Sequence, residues 1–285
     1  MVANVGRINV DYAHVESGEF RDTVYCPCQD TFLFVDALQS DIEHLCRREI
    51  AVVMEIGSGS GYISAYLLKL LRDNRRGTAC RSTHRRDNGS SQCTEASSDA
   101  TEGNCGSSYE SGSPFVIAVD INPFANAATM KTFQNNGVAD KADAIGMDMF
   151  ASLNSRISKK MVDIVMFNPP YVPSDSTDPT NQCLDMAWNG GAMGSEVTDR
   201  FIASVKEYLS QHGTVYLLVE KRNDVNSVLQ SIEKQGFHAE VGFKASHNAY
   251  HMRQVIITRK LLWETLSVIR FCMRENADVT AIQRQ

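Results

Sequence analysis

Short apolar runs that do not alternate, each stopping abruptly in polar or glycine-rich residues, constrain this chain more than any other feature. The clearest is Val162-Asp163-Ile164-Val165-Met166-Phe167, which halts in Asn168-Pro169-Pro170-Tyr171. A strand covered on both faces has this pattern, and the two prolines forbid its continuation as strand or helix. In open α/β sheets, ligands meet the chain at such carboxyl ends. Asn168 offers a fixed amide there, and Pro169 and Pro170 lack an N–H, so the carbonyls of the turn face no competing backbone donors. The Asn168 side-chain oxygen and the Pro169 carbonyl can accept the N–H groups of a planar amide or amine while Tyr171 lies over its face. The plainer alternative is a loop that merely turns, for which Asn-Pro is a common signal.

Two further runs match this one. Ala51-Val52-Val53-Met54-Glu55-Ile56 enters Gly57-Ser58-Gly59-Ser60-Gly61, after which helical spacing runs from Tyr62 to Leu71. Phe115-Val116-Ile117-Ala118-Val119-Asp120 ends in a carboxylate, and Pro123 opens a helix to about Asn135 that Gly137 closes. Ahead of them, Phe32 to Leu45 has helical spacing with Asp30 or Thr31 placed to cap it. Residues 142–148 read as a strand, 172–194 as an irregular loop holding Trp188, and 195–209 as a helix ended by His212-Gly213. Strands at 214–219, 239–245 and 266–271 and a helix at 224–235 complete the series, while 247–263 fits no pattern. The order predicts an α/β fold, a seven-stranded doubly wound (Rossmann-like) sheet whose last strands form a hairpin.

The chain is long enough for one good core with additions. Residues 1–20 are weakly patterned and expected to be flexible, with a single domain over 21–285. Residues 73–114 are Ser, Asn, Gly, Thr and charge, which cannot bury enough apolar surface to offset ordering entropy, so a disordered insertion is expected there. A basic arm for RNA or the ribosome is the alternative, since arginines crowd its first half. No apolar run has the length of a membrane span and no secretory or mitochondrial leader is evident, which predicts a cytoplasmic or nuclear protein without membrane contact. The eight cysteines lack a C-x-x-C pair and read as free thiols, and the net charge of −6 argues against a large nucleic-acid footprint.

The glycine turn is G-x-G-x-G, without the third glycine spacing of a dinucleotide fingerprint. Its glycines let backbone approach a ligand, and Glu55 can hold an ammonium. Asp120 follows Gly61 at about the interval expected of a ribose-binding carboxylate once residues 73–114 are set aside. An ammonium at Glu55, a ribose at Asp120 and an adenine near Asp148 and Met149 together describe S-adenosylmethionine. Singly, each acid would be an ordinary strand-end carboxylate.

Glu55-Ile-Gly-Ser-Gly-Ser-Gly61, Asp120-Ile-Asn-Pro123 and Asn168-Pro-Pro-Tyr171, in that order, resemble class I methyltransferases of the HemK type. Val24-Tyr25-x-Pro27-x-x-Asp30-Thr31-Phe32, Asp199-Arg200-Phe201 and Glu264-Thr265-Leu266-Ser267-Val268 resemble its eukaryotic branch, which methylates the glutamine of the Gly-Gly-Gln motif in translation release factors. The resemblance implies cofactor contacts from Thr31, Glu55, Gly57, Gly59, Gly61, Asp120, Asp148, Met149 and Asn168, and a catalytic turn of Asn168, Pro169, Pro170 and Tyr171. It also implies a class 1 release factor as substrate and a small zinc-binding activator subunit as partner. Gln29 stands where the branch usually has glutamate. Methylation of adenine amino groups in DNA or RNA, methylation of lysine, and an inactive scaffold subunit are the competing expectations.

Overall fold

Consecutive strand residues are buried on opposite faces of the sheet, which is why the runs do not alternate. Val53 and Ile164 join the apolar cluster on one side while Met54 and Val165 join that on the other, all of them fully covered. The protein's computed structural model describes residues 8–83, 112–151, 153, 160–174, 182–240, 255–261 and 263–273, with backbone alone for 75–83, 182–183 and 238–240.

In chain order the elements are α1 (Ala13–Glu16), α2 (Gln29–Ser40), α3 (Ile42–Cys46), β1 (Val52–Ile56), α4 (Tyr62–Thr83), β2 (Phe115–Asp120) and α5 (Pro123–Asn135). They continue with β3 (Ala142–Gly146), β4 (Val162–Phe167), α6 (Gln182–Asp185), α7 (Glu196–Val205) and β5 (Leu209–Glu220). The last are α8 (Val225–Lys234), β6 (Phe237–Glu240), β7 (Val255–Lys260) and β8 (Thr265–Met273). The sheet order is β3-β2-β1-β4-β5-β8-β6, with β7 also on β8. β3 to β5 are parallel, and β8 is antiparallel to β5, β6 and β7. One face packs on α2 to α5, the other on α7 and α8.

The strand order reverses between β1 and β4, and Ile56 lies in register with Phe167. The glycine turn and the Asn-Pro-Pro-Tyr turn therefore leave the sheet side by side at its switch point, where open α/β sheets bind ligands.

Among the described residues the expected seven strands become eight ranges in seven positions. Glu240 pairs with Arg270 and Val255 with Ile269, so β6 and β7 lie end to end along one edge of β8. The expected strand 239–245 is thus displaced to 237–240, its remainder lying outside the described residues, and the unassigned 247–263 contains β7.

Other boundaries also move. Residues 8–20, expected to be flexible, are held against α5: Ile8, Val10 and Val15 are buried, and Asp11 and Asn136 exchange two hydrogen bonds of 2.9 Å. Isolated apolar residues give no period in sequence, so only the tertiary contact shows this. α4 runs on to Thr83, into the segment assigned to a disordered insertion. Residues 84–111 lie outside the described structure. His212-Gly213 does not end a helix: α7 stops at Val205, and the pair sits inside β5, where the register against β4 shifts.

Gly61 lies at a tight approach of the α4 start to α5. Its φ is +75°, and a Cβ there would stand 2.9 Å from the Thr129 Cα and from its methyl carbon. Gly61→Ala is expected to lower stability by about 2–3 kcal/mol, since both the backbone strain and the backbone clash must be absorbed. Urea unfolding of the two proteins checks it, and an unchanged midpoint would contradict the tight contact.

Candidate functional site

A cavity of about 740 Å³ opens at the switch point, within the usual range for small-molecule and cofactor sites. Thr31, Glu55, Gly57, Gly59, Asp120, Asp148, Met149, Asn168, Pro169 and Pro170 all line it. Gly61 and Tyr171, expected in the site, are not among the lining residues. Gly61 is occupied with Thr129. The Tyr171 ring packs against the apolar cluster on the α2 side, and its hydroxyl donates to Glu264. Burial, with the Asp30 and Glu264 carboxylates nearby, raises that phenol's pKa.

Glu55 closes the floor of the cavity. Its side chain is 2% exposed and accepts hydrogen bonds from the Ser64 backbone N–H, at 3.1 Å, and from the Ser64 hydroxyl. Burial outweighs those two donors and pushes its carboxyl up to about 8. Asp120 accepts from Gly59 N at 2.8 Å and from Asn122 N at 2.9 Å. The β2 carboxylate thus fixes the glycine turn after β1, and burial raises its pKa despite these donors. Asp148 and Met149 leave β3 together: Asp148 pairs with Arg200 of α7 at 2.6 Å, and Met149 is buried with φ +49°. Among the described residues, Asp30, Asp120, Asp148, Asp185 and Glu196, with Glu55 able to ionise once a cation binds, line the cavity against a single cation, Arg200. Such a wall favours a positively charged ligand.

The Asn168 carboxamide is oriented. Its Nδ2 donates to Asp30 Oδ2 at 2.9 Å, while its Oδ1 is buried with no hydrogen-bond partner among the described residues. A buried acceptor without a donor is costly unless a ligand supplies one. Asp30 is itself 6% exposed and receives the Tyr25 hydroxyl and the Thr31 hydroxyl, each at 3.4 Å. It is therefore not a cap. The N-terminal cap position belongs to Cys28, whose N–H reaches Thr31 Oγ1, and Gln29 is exposed.

Sequence reasoning gave Asp30 no role beyond capping, because a polar residue before an apolar helix looks like a cap whichever way its side chain turns. It gave Arg200 no role beyond its place in the Asp199-Arg200-Phe201 motif, and passed over Asn223. Asn223 Nδ2 donates to Tyr171 O at 2.9 Å and Gly194 O at 2.8 Å, joining the catalytic-turn candidate to the loop that follows α6. No local sequence signal marks that role.

A doubly wound sheet that sets an acid-lined cavity against an Asn-Pro-Pro turn defines a class I methyltransferase. A mouse protein, methyltransferase HEMK2, is 30% identical over 260 residues, which cover 91% of this chain and 94% of the relative. Its human counterpart is 29% identical over the same length with the same coverage. The fission yeast eRF1 methyltransferase catalytic subunit mtq2 is 29% identical over 259 residues, 88% of this chain and 90% of that protein. The chain belongs to the HEMK2 methyltransferase family. No protein-family profile matches it. Among solved structures, the E. cuniculi Mtq2–Trm112 complex aligns at 22% identity over 88% of this chain and 99% of that one, with a TM-score of 0.47, too loose to bear on the site.

Proposed function

We propose that this enzyme transfers a methyl group from S-adenosylmethionine to the side-chain amide nitrogen of the Gly-Gly-Gln glutamine in a class 1 translation release factor. The observation that carries the reading is the Asn168 Oδ1, buried in a cavity-lining residue with no hydrogen-bond partner among the described residues, while Nδ2 is fixed on Asp30. That oxygen and the Pro169 carbonyl suit the two N–H groups of a primary amide. The name of the fission yeast relative supports the same substrate class.

The site's residues fit the cofactor. Glu55 suits its ammonium, Gly57 and Gly59 allow close backbone approach, and the remaining lone pairs of the Asp120 carboxylate suit ribose hydroxyls. When bound, the cofactor supplies a sulfonium-activated methyl group, so the difficult chemistry is its own. The protein aligns the nucleophile. An amide nitrogen is a poor one because its lone pair is delocalised into the carbonyl. Acceptors at Asn168 and Pro169 fix the N–H groups, turn the lone pair towards the methyl group and stabilise positive charge growing on nitrogen. No strong base is required among the lining residues: as the methyl–sulfur bond breaks and the nitrogen–methyl bond forms, the cationic nitrogen would become acidic enough to give one of its N–H protons to water.

Adenine or lysine amino groups are the rival substrates. Labelled S-adenosylmethionine offered to a release factor, to its Gln→Ala mutant and to a DNA duplex separates them. Label on the wild-type factor alone supports the glutamine, while label on DNA or equally on the mutant rejects it.

Glu55 makes cofactor binding pH-dependent. With its carboxyl pushed up to about 8, it is largely protonated at pH 7 in the ligand-free protein. A cationic ligand favours the ionised form and so expels a proton. Affinity is therefore expected to rise between pH 6 and pH 8, by up to about tenfold per unit, and to level off above. Calorimetry in buffers of different ionisation enthalpy checks the proton release, which Glu55→Gln should remove. Equal affinity across that range would contradict it.

The fission yeast relative is by name a catalytic subunit, which supports a small partner here as well, in our reading a zinc-binding activator. Among the described residues, β3 has a strand on one side only, and co-expression with such a partner should raise soluble yield. Cytoplasmic residence follows from the proposed substrate.

A further inference from the structure

Trp263 is 87% exposed, the most exposed of the large hydrophobic side chains among the described residues. It sits between β7 and β8 in a turn closed by the bond from Leu261 N to Glu264 O at 2.8 Å. Beneath it lies a recess of about 210 Å³ lined by Lys221, Arg222, Lys260 and Trp263 together with Glu220 and Glu264, sharing no residue with the main cavity.

The acids of this tip point inward. Glu220, 2% exposed, accepts from Arg222 Nε at 3.1 Å and from Thr265 N at 3.3 Å. Glu264 accepts the Tyr171 hydroxyl and lies 3.9 Å from Arg222. Lys221 and Lys260 are exposed beside the indole, in a chain whose net charge is −6. The tip is a cationic, aromatic spot on an acidic protein. It is also joined to the catalytic-turn candidate, because Asn168 to Pro170 line the cavity while Tyr171, the next residue, bonds Glu264.

We propose that the β7–β8 tip docks an acidic segment of the protein substrate that lies outside the loop bearing the reacting glutamine. The inference rests on the protein-substrate reading above. The bond from Tyr171 to Glu264 sets the tip next to the turn that would receive the glutamine, so a polypeptide bound at Asn168 would have the indole within reach as a contact anchor and the lysines as complements to acidic side chains.

The test compares wild type, Trp263→Ala and the pair Lys221→Glu with Lys260→Glu, on a full-length release factor and on a short Gly-Gly-Gln peptide. The proposal expects KM for the factor to rise about tenfold or more in both variants with kcat unchanged. The rise from charge reversal should shrink at high salt, and peptide kinetics should not move. An unchanged KM on the factor overturns the docking surface, as does an equal loss on the peptide, which would trace the effect to a disturbed Tyr171. Single-stranded RNA binding that disappears on charge reversal while KM stays constant assigns the spot to nucleic acid and also overturns it. Failure of the wild type to methylate any release factor removes the underlying reading instead.

Discussion

Asn168→Ala is expected to reduce methyl transfer by about a thousandfold or more while leaving much of the affinity for S-adenosylmethionine intact. In the proposed reading the cofactor's ammonium and ribose are met by Glu55, the glycine turn and Asp120, whose hydrogen bonds among the described residues go elsewhere than to Asn168. On the proposed mechanism, alanine removes an acceptor for the substrate nitrogen, an interaction that would strengthen as positive charge grows there and so act on kcat. It also leaves Asp30 Oδ2 without its 2.9 Å donor, which should cost about 1–3 kcal/mol of stability. Single-turnover rates and calorimetry separate the two effects. A variant that keeps full activity would remove Asn168 from the mechanism.

Asp30→Leu is expected to lower kcat by about a hundredfold without touching the Asn168 side chain's own chemistry. A carboxamide presents an oxygen or an NH2 to the cavity according to which end is held. Asp30 holds the NH2 end, being fixed at the start of α2 and bonded by the Tyr25 and Thr31 hydroxyls. Without that acceptor the group can turn its NH2 towards a substrate that itself offers N–H, and donor then meets donor. Asp30→Asn retains an acceptor oxygen and should recover much of the lost rate, whereas a purely structural role would leave both variants equally damaged relative to their unfolding midpoints. Equal kcat in Asp30→Leu and wild type would show that Asn168 keeps its orientation by other means.

The strand ends carrying the cavity were legible because their chemistry is local. The apolar runs 51–56, 115–120 and 162–167 stop in glycines, in a carboxylate and in Asn-Pro, and each stop falls where the structure ends the strand. Glu55, Asp120 and Asn168 follow from those stops, and the cavity brings them together. Direction was not legible. Tyr171 turns towards Glu264, far on in the chain and brought beside it only when β8 pairs with β5, and Asp30 faces Asn168 across the sheet end. Burial of Val15 depends likewise on Ala125 and Ala128 of α5, and that of Ile8 and Val10 on the cluster formed by α2 and α4, all distant in sequence. The split edge of the sheet escaped for a different reason: β6 and β7 are each short, and only their common partner β8 makes them one line.

The most direct measurement is a crystal structure of the enzyme with S-adenosylhomocysteine and a Gly-Gly-Gln peptide. The account predicts the glutamine Nε2 within hydrogen-bonding distance of Asn168 Oδ1 and the Pro169 carbonyl, with Asn168 Nδ2 still on Asp30 and the nitrogen facing the sulfur. A glutamine bound elsewhere, or an Asn168 whose NH2 faces the substrate, would contradict it.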